Sequence, residues 1–297
     1  LTSALWIFST YLLGYIGIVI INNGFITEFN YDNIVMFAAS SMLSLLAYPL
    51  IYLFERSFGI TSDFTLLELS SCNSRLLREL SFKAPGTFQH SLQVANLAEE
   101  VIYQIGGNSL LVRTGALYHD IGKMLQPQYF IENQNAGQNP HDELTYQESA
   151  RIIIEHVTKG VDLAKKYQLP PLLIDFIRTH HGNTHVDYFY QSFLKNFANK
   201  TVDETQFKYP GPIPFSKEQA VLMLADSVEA ASRSLKEPNE NSIYQLVDRI
   251  IDYKLEQNQL KDSDITLKDI ETIRKTFKQM LVRIYHVRIE YPIHVKR

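Results

Sequence analysis

A single cysteine, Cys72, stands among 297 residues. It leaves no partner for an internal disulfide and excludes a Cys-rich zinc site. One free thiol fits a reducing compartment. Excess positive charge is also missing, with 28 Lys and Arg against 32 Asp and Glu. There is therefore no electrostatic case for binding a polymeric nucleic acid. Alternating apolar and polar runs longer than a few residues are absent, as is any internal repeat. That argues against a sheet or a solenoid. What remains is a composition of 45% hydrophobic and 20% charged residues, globular rather than disordered. The length allows one large core, or a moderate domain with an appendage.

The charge is unevenly spread. Residues 1–54 contain Glu28 and Asp32 and no Lys or Arg. Two uncharged runs lie here, Leu5 to Ile21 and Ile34 to Phe54. As helices they would span about 26 and 32 Å, close to the hydrocarbon thickness of a bilayer. A polar connector, Asn22–Asn33, separates them. Pro49 interrupts the second run, as membrane helices tolerate, and Trp6, Tyr31 and Tyr52 sit near run ends, where interfacial aromatics belong. A signal peptide would need a basic leader, which is absent, and a soluble core helix would show a polar face, which neither run does. The flank after Phe54 carries Arg56, Arg75, Arg78 and Lys83. The positive-inside rule then puts the C-terminal region in the cytoplasm and the connector outside. The chain starts at Leu1 rather than Met, so the expectation is a piece of a longer protein whose preceding part has its own function.

Beyond Arg56 the pattern is one of amphipathic helices with short breaks, an all-α arrangement. Apolar spacing and caps predict helices over about 88–105, 109–121, 145–167, 171–181, 216–235, 241–258 and 266–287. Residues 126–143 read as a loop, and Tyr209-Pro210-Gly211-Pro212 marks a second long one. His90, His119, His156, His180 and His181 fall on these helices or at their ends. Asp120 follows His119 directly. Asp226 lies in Val221-Leu222-Met223-Leu224-Ala225-Asp226, where an ionised carboxylate is costly unless paired or bound to metal. Each of these alone has a bland explanation: a core histidine, a chance dipeptide, or a helix C-terminus attracting imidazolium. Together they are imidazoles and carboxylates from separate helices that can converge in a bundle core, where helical metal sites are built.

This constellation resembles the HD superfamily of metal-dependent phosphohydrolases. The resemblance rests on His119-Asp120-Ile121-Gly122-Lys123 with His90 upstream and Asp226 downstream. It implies His90, His119, Asp120 and Asp226 as a single-metal ligand set, which His156, His180 and His181 extend to two metals. The chain is similar in particular to the C-terminal part of bacterial seven-transmembrane HD phosphodiesterases that hydrolyse cyclic di-AMP. The similar stretches are Ala84-Pro85-Gly86-Thr87-Phe88-Gln89-His90-Ser91, Asn139-Pro140-His141, His180-His181-Gly182-Asn183-Thr184, Tyr188-Phe189-Tyr190, Tyr209-Pro210-Gly211-Pro212 and Ala225-Asp226-Ser227-Val228-Glu229-Ala230. Phe88 departs from that branch, which has Tyr there. The sister branch that cleaves cyclic di-GMP carries Gly-Tyr-Pro after its His-His pair, and Gly182-Asn183-Thr184-His185 lacks it.

The organisation so implied is a transmembrane hairpin over 1–54, ending a larger multi-pass region of the cell membrane, a linker helix over 55–84, and a cytoplasmic HD domain over 85–297. The implied partners are cyclic di-AMP and the lipid bilayer, and a homodimer is compatible with them. Imidazole and carboxylate donors without thiolate suit two Mn or Fe ions, with Zn as the alternative. The implied reaction is attack on phosphorus by a hydroxide shared between the ions, opening the ring to linear 5′-pApA. Asp120 and Lys123 are the expected catalytic residues. Lys123 would meet a phosphate oxygen, or else be a solvated helix-terminal lysine. Thr184 and Ser227 would bond phosphate or orient a ligand. Asn139 and His141 would touch base or phosphate, or serve only their loop. Arg233 would bind phosphate or solvate its helix. Tyr188 and Tyr190 would stack on adenine or belong to the core. His185, His286 and His294 are expected to be structural or surface residues. The alternatives to this function are a single-metal HD hydrolase of nucleotides and a catalytically silent nucleotide receptor.

Overall fold

A computed structural model describes residues 2–25, 30–134, 139–197, 203–236 and 238–286. Glu28, the part of the last helix at Val287, and His294 lie outside the described residues. The chain divides into two units, Leu1–Ser62 and Asp63–Arg297.

The first unit consists of α1 (Thr2–Asn23), α2 (Tyr31–Leu43) and α3 (Ala47–Phe58). A short 3-10 turn, Ser44–Leu46, joins α2 to α3. Its position has a cause in Pro49, which has no N–H to donate and whose ring crowds the carbonyl of Leu45. Thr2–Asn23 and Tyr31–Phe58 are both long and apolar enough to cross a membrane, and little of either is buried within the chain. Trp6, Leu13, Ile21, Val35 and Met36 are exposed, a face that water does not favour.

Among its described residues the second unit consists of helices joined by turns and loops, with no strand beyond one isolated antiparallel pairing of His185 with Lys208. Its helices are α4 (Asp63–Ser70), α5 (Arg75–Lys83), α6 (Pro85–Ile105), α7 (Ser109–Tyr118), α8 (Tyr146–Lys166), α9 (Pro171–Thr179), α10 (Asp187–Asn196), α11 (Lys217–Ser232), α12 (Glu240–Glu256) and α13 (Leu267–His286). Caps set most of the starts. Pro85 and Pro171 occupy the first turns of α6 and α9, where a missing N–H costs nothing. Thr145 and Glu148 form a reciprocal capping box on α8, and Asn108, Ser216 and Asn239 cap α7, α11 and α12. Helix α10 falls in a stretch where apolar spacing predicts no helix. It forms because Phe189 and Phe193 bury one side against Ala150, Val157 and Phe207.

Helix α11 is the axis of the unit. Ala220 to Ala225 are all buried, and α6, α7, α9, α12 and α13 pack around it. A helix enclosed on all sides carries any polar side chain into the core, which is how Asp226 reaches the interior. Residues 55–84, expected as one linker helix, include the end of α3 and two short helices, α4 and α5. Leu66, Leu76, Leu77 and Leu80 are buried in the same core as α6 and α11. That apolar face is why α4 and α5 fold onto the domain instead of standing free.

The 3-10 turn Ile121–Leu125 follows α7 and lies against α8. A Cβ on Gly122 would come within 1.9 Å of the His156 carbonyl oxygen, so only glycine permits this approach. Gly122→Ala is expected to cost at least about 3 kcal/mol, because backbone rather than a side chain must move. Thermal unfolding checks this; an unchanged melting temperature would contradict the packing. Leu77→Ala is expected to cost about 2–5 kcal/mol as a fully buried core leucine. A loss below about 0.5 kcal/mol, the range of exposed positions, would detach α5 from the core.

Candidate metal centre

Five elements of the second unit deliver the polar residues found in its core. His90 comes from α6, His119 from the residue that ends α7, and His156 from α8. His180 and His181 follow α9, and Asp226 comes from α11. Adjacent residues on an ideal helix diverge by about 100°, which would separate His119 from Asp120. The chain avoids this by leaving the helix: Asp120 has φ −109° and ψ 15°, and its carboxylate turns back into the cluster.

That carboxylate faces two histidine groups. Oδ1 lies 3.3 Å from His156 Nε2 and 3.6 Å from His180 Nε2. Oδ2 lies 3.2 Å from His119 Nε2 and 3.6 Å from His90 Nε2. Asp226 Oδ1 is 3.0 Å from His90 Nε2 and 3.8 Å from His119 Nε2, and its Oδ2 is 3.9 Å from His181 Nδ1. Donor atoms of His90, His119 and Asp226 all lie within 4.8 Å of one another, as do those of His156, His180 and His181. All these residues except the half-buried His181 are buried.

The rings are held in one tautomer. Nδ1 of His119, His156 and His180 each donates to the carbonyl three residues back, on Ala116, Ile153 and Ile177. Each Nε2 then presents a lone pair to the centre. His90 Nδ1 instead bonds the Glu229 carboxylate. His181 stacks on Tyr209 with ring centroids 4.2 Å apart.

Several features of this arrangement call for a cation. His156 and His180 direct Nε2 atoms at each other across 3.1 Å, and both Nδ1 protons are already committed, so two lone pairs face each other. His119 Nε2 and both Asp120 oxygens are buried without a well-formed hydrogen bond among the described residues, although Lys123 Nζ is 2.6 Å from Oδ2. Asp120, Asp226, Glu229 and Glu132 together outnumber the cations Lys123 and Arg233 paired with them. The protonation preferences respond to that imbalance. Burial pulls the His119 pKa down, but Asp120 and Asp226 outweigh it and hold it at about 10. Burial raises the Asp226 carboxyl, but His119 and His90 keep it well below the usual range. On the opposite side burial, reinforced by the charge of His119, pushes His180 down to about 3. Imidazole and carboxylate donors with fixed tautomers suit a borderline or hard divalent metal, so this His/Asp cluster can bind metal.

A cavity of about 450 Å³ opens onto the centre, within the usual range for small-molecule sites. His90, His181 and Asp226 reach it, together with Lys123, Ser227 and Arg233. The other expected contacts are placed elsewhere. Thr184 Oγ1 donates to the His181 carbonyl and supports the turn beneath that ligand. Asn139 caps a 3-10 turn by accepting from the His141 N–H, and His141 packs on Tyr129 and Phe189. Tyr188 is exposed. Tyr190 stacks on His185 and donates to Glu204. His286 ends α13.

Two participants escaped the sequence reading. Glu132 is 3.1 Å from Lys123 Nζ and accepts from Thr87. It sits on an irregular segment with no periodicity to mark it. That segment presses on the start of α6, where a Cβ on Gly86 would meet the Glu132 carbonyl oxygen at 1.8 Å. Glu229 did carry a signal: it stands three residues after Asp226, on the same helical face in a buried stretch.

An HD domain family model matches residues 87–231. The chain is 46% identical over 254 residues to the cyclic-di-AMP phosphodiesterase PgpH of Bacillus subtilis, covering 86% of this chain and 35% of that protein. It thus spans about a third of the length of the curated relatives it matches. The PgpH HD domain of Listeria monocytogenes superposes with a TM-score of 0.69 at 45% identity, over 72% of this chain and 100% of that one. A structure of that domain in complex with cyclic-di-AMP gives 0.70 at 44%, with the same coverage. Every candidate ligand falls between the first and last residues of the family match. With that identity sustained across the whole of a solved HD domain, the chain belongs to the HD-domain family, in its PgpH branch.

Proposed function

We propose that this chain is the membrane-anchored catalytic part of a phosphodiesterase that hydrolyses cyclic di-AMP to linear 5′-pApA. The observation that carries this reading is the Asp120 carboxylate, set between two histidine groups with one oxygen toward each. In this reading His90, His119, Asp120 and Asp226 hold one divalent ion, and Asp120, His156, His180 and His181 hold another. Bound Mn or Fe ions, or Zn, would supply a hydroxide nucleophile at neutral pH and offset charge on the phosphoryl oxygens. The substrate class comes from the relatives, since the PgpH proteins are named for cyclic di-AMP and one HD domain is solved with it.

The chain's own residues bind and orient. Lys123 sits at the cavity with its charge shared between Asp120 and Glu132, ready to meet a phosphate oxygen. Ser227 and Arg233 line the same wall and offer donors to phosphate. Thr184 keeps the turn after His181 in place, while Asn139 and His141 shape the segment that borders the site. The two apolar helices anchor the domain in the cell membrane as part of a multi-pass region, and the basic residues after Phe54 put the catalytic domain on the cytoplasmic side.

Chelation is expected to abolish hydrolysis, and Mn²⁺ to restore it. His156→Ala is expected to lose one of two metal equivalents, and activity with it, when metal content and turnover are measured on the same sample. No change in either would sink the two-metal reading. Absence of hydrolysis by the fully loaded wild-type protein would favour a nucleotide receptor instead. Lys123→Met is expected to lower kcat by about 100-fold, the usual order for removing one charge-stabilising donor, while the metal content stays at the wild-type level. Activity close to wild type would return Lys123 to a solvated helix-terminal role.

A further inference from the structure

We propose that Glu229 is a positioning residue with two clients: it orients His90 for metal binding and holds Arg233 at the cavity wall for substrate phosphate. The inference rests on the functional reading above and deepens it.

Glu229 is 1% exposed, and a carboxylate so placed is costly unless both its oxygens are satisfied. Here they are, by different partners. Oε2 bonds His90 Nδ1. Oε1 accepts from Arg233 Nε at 2.7 Å and lies 2.6 Å from Nη2. Its own side chain does not reach the cavity, whereas His90 and Arg233 both line it. Glu229 therefore acts only through these two.

The position of His90 explains the need. His119, His156 and His180 use backbone carbonyls three residues back as Nδ1 acceptors. His90 uses a carboxylate. A charged acceptor raises the basicity of the opposite ring nitrogen, and loss of such a partner weakens metal binding by about 10- to 100-fold. Arg233 follows Glu229 by one helical turn and sits at the end of α11. With Nε and Nη2 turned to Glu229, the guanidinium keeps its Nη1 edge for an anion, and its planar fork fixes the direction. The arginine also neutralises Glu229, so the buried acid does not repel the phosphate it helps to bind. Metal affinity and substrate affinity thus share one side chain.

The test uses the 297-residue chain in detergent, with Mn²⁺ binding by calorimetry, KM and kcat for cyclic di-AMP, and thermal melts to confirm folding. Glu229→Gln keeps shape and volume but cannot accept from both partners. It is expected to weaken Mn²⁺ binding at one of two sites by about 10-fold or more and to raise KM. Arg233→Ala is expected to raise KM without changing Mn²⁺ affinity. In the Glu229→Gln background the Arg233→Ala effect on KM is expected to shrink, since both act through one carboxylate. Wild-type Mn²⁺ affinity and KM in Glu229→Gln would overturn the proposal, as a packing role alone is served by glutamine. Full additivity of the two KM effects would overturn it as well, and so would Arg233→Ala with unchanged KM. A wild-type protein that binds no Mn²⁺ or fails to turn over would instead overturn the functional reading itself.

Discussion

The second unit is organised around a buried carboxylate that no donor among the described residues fully satisfies. Asp120 is 1% exposed and has imidazoles on two sides and an ammonium on a third. Placing it there requires α7 to end one residue earlier, Gly122 to let the following turn touch α8, and α11 to pass through the core with Asp226 and Glu229 on one face. These are structural costs, and a cation between the histidine groups would offset them. The two histidine groups differ electrostatically: Asp120 and Asp226 outweigh burial at His119 and push it up, while burial, reinforced by His119, pushes His180 down. Metal binding to such a set is coupled to proton release.

Around this centre the polar residues form a layered support. Backbone carbonyls fix three imidazoles, Glu229 fixes the fourth, and Glu132 shares Lys123 with Asp120. The two cations that face the cavity are both held by acids, so neither is free to sample many rotamers. This is preorganisation: orientation is fixed before any ligand arrives, and less entropy is lost on binding. The apolar helices of the first unit and the buried leucines of α4 and α5 serve separate ends. The former are long and apolar enough to cross a membrane, and the latter complete the core that keeps α6 in place.

Much of this was legible in the chain itself. Apart from α10, the helices from α6 onward follow apolar spacing and caps, and the candidate ligands stand out as polar residues at helix ends or inside apolar runs. The limits of the reading have physical causes. Helix α10 depends on aromatic residues meeting distant partners such as Phe207 and Ala150, which local periodicity does not contain. Residues 55–84 read as a linker because their leucines reveal no partner until α6 and α11 are in place. The same holds within the site. Asp226 is conspicuous among Val221 to Ala225, while Glu132 acquires meaning only when the close approach at Gly86 brings it to Lys123. Thr184 and His141 hydrogen-bond the backbone carbonyls of His181 and Tyr129, which agrees with the supporting roles the sequence left open for them beside phosphate contact.

The central claim is that Asp120 stands between two metal ions. Anomalous diffraction from crystals of the Mn²⁺-loaded protein, collected at the manganese edge, tests it most directly. The account predicts two peaks about 3.5–4 Å apart, one beside His90, His119 and Asp226 and the other beside His156, His180 and His181, with the Asp120 carboxylate between them. A single peak at full Mn²⁺ saturation, or two peaks with Asp120 touching only one, would contradict it.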